Sequence, residues 1–135
     1  MFKNLRRNKF KISTARLAEI VKEVYTIEIV ASLAQTATDK LKTLNYKNIV
    51  VKQGDGYCGW PEKSPFDAIL VTAAAPKIPQ RLIDQLKVGG RIVLPLGSAS
   101  GSQDLIVLTK LADGSLKERF ITAVVFVPMT GEIRK

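Results

Sequence analysis

Two carboxylates stand where this chain could do chemistry. Glu28 comes near the end of an apolar, β-rich run from Tyr25 to Val30, "YTIEIV", and Asp55 lies between two glycines in "QGDGYCGW". An acid at the carboxyl end of a buried strand can accept hydrogen bonds from both hydroxyls of a nucleoside ribose, and one on a tight turn can accept from an adenine amino group. Each signal has a plain counterpart: an edge acid that meets solvent, and an Asp-Gly pair that only reverses the chain. Together they say more. They stand at successive strand ends about one strand-helix-strand unit apart, and open parallel sheets bind ligands at the carboxyl ends of their strands.

The elements that must position these acids alternate along the chain. Leu17, Ile20, Val21 and Val24 follow helical spacing, so the pattern predicts a helix over 14–23 with Ser13 or Thr14 as its cap. "VYTIEIV" is a strand. Leu33, Ala34, Ala37, Leu41 and Leu44 mark a second helix that Asn45 can end, and "NIVVKQ" is the next strand. After the loop "GDGYCGWP" comes "FDAILVTAAAP", whose unbroken apolar centre suits a strand covered on both faces. "IPQRLIDQLK" is a short helix stopped by "VGG", and "RIVLPLG" is a strand. The Asp113-Gly114 pair between "QDLIVLTKL" and "LKERFITAVVFVPM" predicts a β-hairpin. The expected fold class is α/β, a mostly parallel sheet with an antiparallel C-terminal hairpin.

Composition bounds the rest. The chain has 135 residues, 46% hydrophobic and 24% charged, enough for one cored domain over 1–135. Its apolar runs are too short to span a membrane and no signal-peptide pattern is present, so a soluble cytoplasmic protein is expected. With no histidine and a single cysteine, Cys58, neither a zinc site, a histidine triad nor an internal disulfide is expected. The formal charge is +9, and six of those charges (Lys3, Arg6, Arg7, Lys9, Lys11 and Arg16) fall in the first sixteen residues, which hold no acid. Residues 1–11 therefore read as a solvated basic leader, and nucleic acid is not the expected partner.

The motifs "VYTIEIV", "GDGYCGWPEKSPFDAILVTAAAPKIP", "LKVGGRIVLPLGS" and "FVPMTGEIRK" resemble the protein-L-isoaspartate O-methyltransferase family from about Ala15 to Lys135. The resemblance implies a Rossmann-like, class I methyltransferase fold with S-adenosylmethionine as methyl donor and isoaspartyl-containing proteins and peptides as partners. It also implies a protein-repair reaction, in which the free carboxylate of the isoaspartyl residue is methylated and the ester collapses to a succinimide. By that resemblance Glu28 holds the ribose hydroxyls, Ile29 packs on the adenine, and Asp55 and Gly56 address its amino group. Thr72, Ala73, Ala74 and Ala75 floor the crevice between donor and peptide, and Val127, Pro128, Met129 and Thr130 form part of the peptide-facing wall. The alanines can equally serve tight packing at a strand-to-loop turn. Trp60 and Cys58 are expected to pack under their loop.

The family carries an upstream strand and glycine-rich loop that this sequence lacks; it reads "LRRNKFKISTARLAEIV" at that point and has no glycine before Gly54. The expectation is an N-terminally truncated member without the central strand, with no catalytic residue assigned and little activity of its own. Two other classes fit less well. One is a noncatalytic fragment whose basic leader binds nucleic acid or an acidic partner; the other is a dinucleotide-dependent oxidoreductase, against which the missing glycine fingerprint and "VTAAAP" both count.

Overall fold

The computed structural model describes residues 17–131. The basic leader over 1–11, the cap candidates Ser13 and Thr14, and residues 132–135 lie outside the described residues. Residues 17–20 are helical. They are followed by β1 (Val24–Glu28), α1 (Ala31–Thr43), β2 (Ile49–Gln53), a 3₁₀ turn (Pro61–Lys63), β3 (Phe66–Leu70), α2 (Gln80–Asp84), β4 (Leu86–Leu96), β5 (Gln103–Lys110) and β6 (Leu116–Val124). None of the described helices is long and apolar enough to cross a membrane.

α1 forms because its apolar residues recur on one face. Ala34, Ala37 and Leu41 are buried there, and the helix packs on β2 through Ile49 and Val51. Leu33 is only half-buried and Leu44 is exposed, so the stripe is narrower than its spacing suggested. Asn45 ends the helix, as its position predicts. It takes the left-handed conformation at φ 60°, its N–H donates to the Lys42 carbonyl (3.0 Å), and the Tyr46 N–H donates to the Leu41 carbonyl (3.1 Å). These two bonds satisfy carbonyls that the helix would otherwise leave open.

The strands form a mixed arrangement. β1 pairs with β2 in parallel, and β3-β4-β5-β6 form a second sheet in which β3–β4 is parallel while β4–β5 and β5–β6 are antiparallel. The predicted hairpin joins β5 and β6: Gly114 takes φ 82°, and the Asp113 carboxylate accepts from the Ser115 N–H and hydroxyl. Those two bonds hold the Asp113 carboxyl below the usual aspartate range. The core lies on the face of the larger sheet that carries Ile69, Ile92, Leu94, Ile106 and Leu108, against Leu82 and Ile83 of α2. Burying each such side chain contributes roughly 1.5–3 kcal/mol.

Two expectations need correction. β3 is not covered on both faces: Asp67 and Ala68 are exposed, because the helix that follows covers only the side bearing Ile69. Nor does "VGG" separate helix from strand. α2 ends at Asp84, and β4 already begins at Leu86 and runs through both glycines. Gly89 takes φ 80° and Gly90 lies so close to the Lys87 and Asp67 carbonyls that a Cβ would not fit, so the pair makes an irregularity within β4 where β3 shifts register.

Among the described residues β1 and β3 share no strand, and each has a strand on one side only. Side chains join the two sheets instead. The Tyr25 ring stands 5.9 Å from Phe66 and edge-on to Trp60 at 5.4 Å, and Ile27 enters the core of the larger sheet.

The Asn45 geometry makes a stability prediction. Asn45→Ala places an alanine in the left-handed region and should lower the unfolding free energy by about 1 kcal/mol. Asn45→Gly should lose nothing. Urea midpoints of the two variants check this, and equal midpoints would show that the cap contributes no conformational selection.

Candidate functional site

The parallel register of β1 and β2 sets both acids at one end of the molecule. Glu28 is opposite Gln53, and the Gly54 N–H donates to the Glu28 carbonyl at 3.0 Å, so Asp55 follows directly on a residue bonded to the end of β1. Glu28 is 2% exposed, and its Oε1 accepts from the Val30 N–H at 3.0 Å. Ile29 beside it is half-buried. Asp55 is also half-buried; its Oδ1 accepts from the Tyr57 N–H at 2.9 Å and its carbonyl from the Cys58 N–H at 3.1 Å. A side chain bonded to its own backbone two residues on is a common way for aspartate to define a turn. The positive φ that this loop needs falls at Gly59 (69°) rather than at Gly54 or Gly56.

Gln85 holds the far side of that loop, and sequence reasoning missed it. Its Oε1 accepts from the Trp60 N–H at 2.7 Å, its Nε2 donates to the Cys58 carbonyl at 2.9 Å, and its own carbonyl accepts from the Phe66 N–H at 2.8 Å. The amide lies directly over Gly59, where any Cβ would collide with it. Trp60 packs on the core as expected and takes the Lys52 ammonium over its ring at 5.1 Å. Cys58 is half-buried and accepts from Arg81 Nη1 at 3.2 Å.

β3 continues into the small-residue segment through single backbone bonds. The Val71 N–H donates to Val93, the Ala75 N–H to Pro95 and the Gly97 N–H to Ala75, all at 2.9–3.0 Å. On the other side, the Ala74 N–H donates to the Val127 carbonyl (2.7 Å) and the Met129 N–H to the Ala74 carbonyl (2.9 Å), a parallel bridge between Ala74 and Pro128. Ala73, Ala74 and Ala75 are buried; Thr72, Val127, Pro128 and Thr130 are half-buried, and Met129 is buried. The expected floor and wall are therefore one bonded unit. The alanines are buried where two chain segments pass on either side.

A second glutamine places the wall. Gln103 is 1% exposed; its Nε2 donates to the carbonyls of Ser98 (2.7 Å) and Gly101 (2.8 Å), and its Oε1 accepts from the Phe126 N–H (2.8 Å). Neither glutamine carries a periodic or motif signal. Gln85 could have been suspected only from its place between a helix and an apolar strand.

The arrangement brings Glu28 and Asp55 to one sheet end, brings Ala74 to the C-terminal wall, and brings that wall to Asp55, since Gly131 rests against the Asp55 carboxylate. Among the described residues no group of three His, Cys, Asp or Glu side chains could hold a metal ion. What the two acids can do is accept hydrogen bonds from a ligand that carries hydroxyl and amino groups.

Comparisons with known proteins identify the family. The family model described as Protein-L-isoaspartate(D-aspartate) O-methyltransferase (PCMT) matches residues 11–134. The chain is 51% identical over 117 residues to Protein-L-isoaspartate O-methyltransferase 2 of Syntrophobacter fumaroxidans, covering 87% of this chain and 47% of that protein. It is 52% identical over 118 residues to the enzyme of the same name from Nitrosococcus oceani, covering 87% and 53%. The chain thus spans about half the length of these relatives. A solved protein-L-isoaspartate O-methyltransferase superposes with a TM-score of 0.84 at 28% identity, over 90% of this chain and 39% of that one. Another, a beta-aspartate methyltransferase assignment from Plasmodium falciparum solved with S-adenosyl-L-homocysteine, gives 0.68 at 25% identity, over 80% and 52%.

The loop clamp predicts a local effect. Gln85→Leu strands the Trp60 N–H and the Cys58 carbonyl, and should lower stability by about 2 kcal/mol. It should also speed the reaction of Cys58 with a thiol reagent, while Gln103→Leu, which acts on the other segment, should leave that rate at the wild-type value. Unfolding curves and thiol-labelling rates measure both. A Gln85→Leu variant with wild-type labelling would show that the loop holds its shape without the clamp.

Proposed function

The chain belongs to the protein-L-isoaspartate(D-aspartate) O-methyltransferase family, and from that premise we propose that it supplies the nucleoside-holding and peptide-facing parts of a methyl-transfer site. The donor is S-adenosylmethionine, and the acceptor is the free carboxylate of an isoaspartyl residue in a damaged protein. The observation that carries this reading is the pair of acids at adjoining parallel strand ends, Glu28 and Asp55, tied through Gly54.

The residues fit the donor's adenosine end. Glu28 is a buried acid that accepts from the Val30 N–H, a carboxylate has several acceptor sites, and the ribose hydroxyls are donors of the right kind for them. Ile29 offers an apolar edge for the adenine, and Asp55 with Gly56 meets its polar rim. Thr72 and the three alanines keep the space beside the reacting centre small, and Val127 and Pro128 face the peptide. The donor, when bound, supplies an activated methyl group on a sulfonium.

The acceptor needs little help. A carboxylate with a pKa near ~4 is already ionised at neutral pH, so no general base is required and the lack of histidine is no obstacle. The protein's task is alignment, and holding two reactants in line can contribute on the order of 7–11 kcal/mol. The residues assigned above address the nucleoside end of the donor and the peptide wall. A donor held only at that end sweeps through many unproductive poses.

Calorimetry with S-adenosylhomocysteine tests the reading. The chain should bind it, and Glu28→Ala should weaken binding about tenfold or more, the loss expected for hydrogen bonds to a charged group. Unchanged affinity would remove the ribose assignment. Labelled-methyl incorporation into an isoaspartyl peptide, set against its aspartyl twin, reads the acceptor side: the 135-residue chain should transfer little. Robust isoaspartyl-selective transfer would show that the side chains named here suffice for alignment.

A further inference from the structure

The stretch that pairs with Ala74 does not stop there. Beyond Met129 it crosses from the end of β3 to the end of β2, where Gly131, at φ 152°, sits with its Cα against the Asp55 side chain. A Cβ at Gly131 would overlap the carboxylate carbon and both oxygens. The same carboxylate is held by its own turn, through the Tyr57 N–H on Oδ1 at 2.9 Å. Two segments thus meet at the acid, one donating a hydrogen bond and the other lying against it without a side chain. That second segment is itself anchored: Gln103 holds the Phe126 N–H, and Ala74 bonds on both sides of Pro128.

We propose that Gly131 is a positioning residue for Asp55, so that the segment 127–131 shapes the nucleoside pocket as well as the peptide-facing wall and sets its selectivity for adenine. The proposal rests on the reading of Asp55 as acceptor for the adenine amino group. A hydrogen bond to a carboxylate depends on direction, and an alanine at 131 must turn the Asp55 carboxylate or lift the whole segment off Ala74. Either movement costs the amino contact. A purely structural role for Gly131 would lower stability without changing which base is preferred.

The experiment compares the full chain with Gly131→Ala, Asp55→Gly and the double variant. Each is titrated calorimetrically with S-adenosylhomocysteine and with S-inosylhomocysteine, whose base carries a carbonyl where adenine carries the amino group. The wild type should prefer the adenine ligand by about tenfold or more, the size of one charge-assisted hydrogen bond. Gly131→Ala should lose most of that preference, as Asp55→Gly does. In the double variant, affinity for the adenine ligand should be no weaker than in the weaker single variant, because Gly131 acts through Asp55. A Gly131→Ala protein that keeps the wild-type preference overturns the positioning role and leaves the nucleoside reading standing. Losses that multiply in the double variant overturn it too. A wild type that binds neither ligand overturns the nucleoside reading, whereas one that binds both equally overturns the amino-group assignment of Asp55 and the role of Gly131 with it. The melting temperature of each unliganded variant gives a ligand-free check. Gly131→Ala should lower it more in the presence of Asp55 than in the Asp55→Gly background, and an equal drop in both would show that the contact has no energetic weight.

Discussion

A strand that stops inside a folded protein leaves backbone N–H and C=O groups that need partners, and this site is built from the way that requirement is met. Where β2 ends, the chain turns on Asp55 and then on Gly59, and the buried amide of Gln85 takes one donor and one acceptor from the loop. Where β3 ends, Ala74 bonds to Val127 and Met129, and Ala75 bonds toward β4. Where β5 begins, Gln103 closes the Ser98–Gly101 turn and reaches Phe126. The acids and small residues of the site are held by these connections. A glutamine suits the task because its side chain offers both donors and an acceptor and so can replace a short piece of missing ladder.

That division explains which parts were legible in the sequence. The strand-end acids could be read because alternating strand and helix patterns say where strands end, and an acid at such a place stands out against apolar neighbours. Asn45 and the Asp113-Gly114 turn could be read because their conformations are chemically selective. Gln85 and Gln103 could not, since a long polar side chain in a sequence does not reveal whether it points inward. Gly131 was seen as part of a motif, but its reason lies with Asp55, which is distant in sequence. The "VGG" run misled because glycine breaks helices and also permits close approach of strands, and only the second use applies at Gly90.

The division of the sheet follows from the same physics. A strand with a neighbour on one side only leaves an edge of backbone groups to other partners, and β1 and β3 each have a strand on one side only among the described residues. Aromatic contacts among Tyr25, Trp60 and Phe66 and the placement of Ile27 in the larger core carry the connection between the two halves. Such contacts are less directional than a hydrogen-bonded ladder.

The chemistry proposed for the site accounts for the kind of residue found in it. A reaction that needs a nucleophilic side chain or a proton shuttle leaves a mark in the sequence, a histidine near a serine or cysteine, or carboxylates at a set separation. Methyl transfer to a carboxylate needs neither, because the acceptor is ionised before it arrives. The demand falls on the frame: acids for the hydroxyls and amino group of the donor, small residues where the acceptor must come close, and backbone bonds that keep the two from drifting apart. These are residues of shape and position, and their importance depends on where strands end more than on what they are. Glu28 would be an ordinary surface acid in the middle of a helix. At the end of a buried strand, one residue pair from the turn that carries Asp55, it becomes half of the proposed nucleoside clasp.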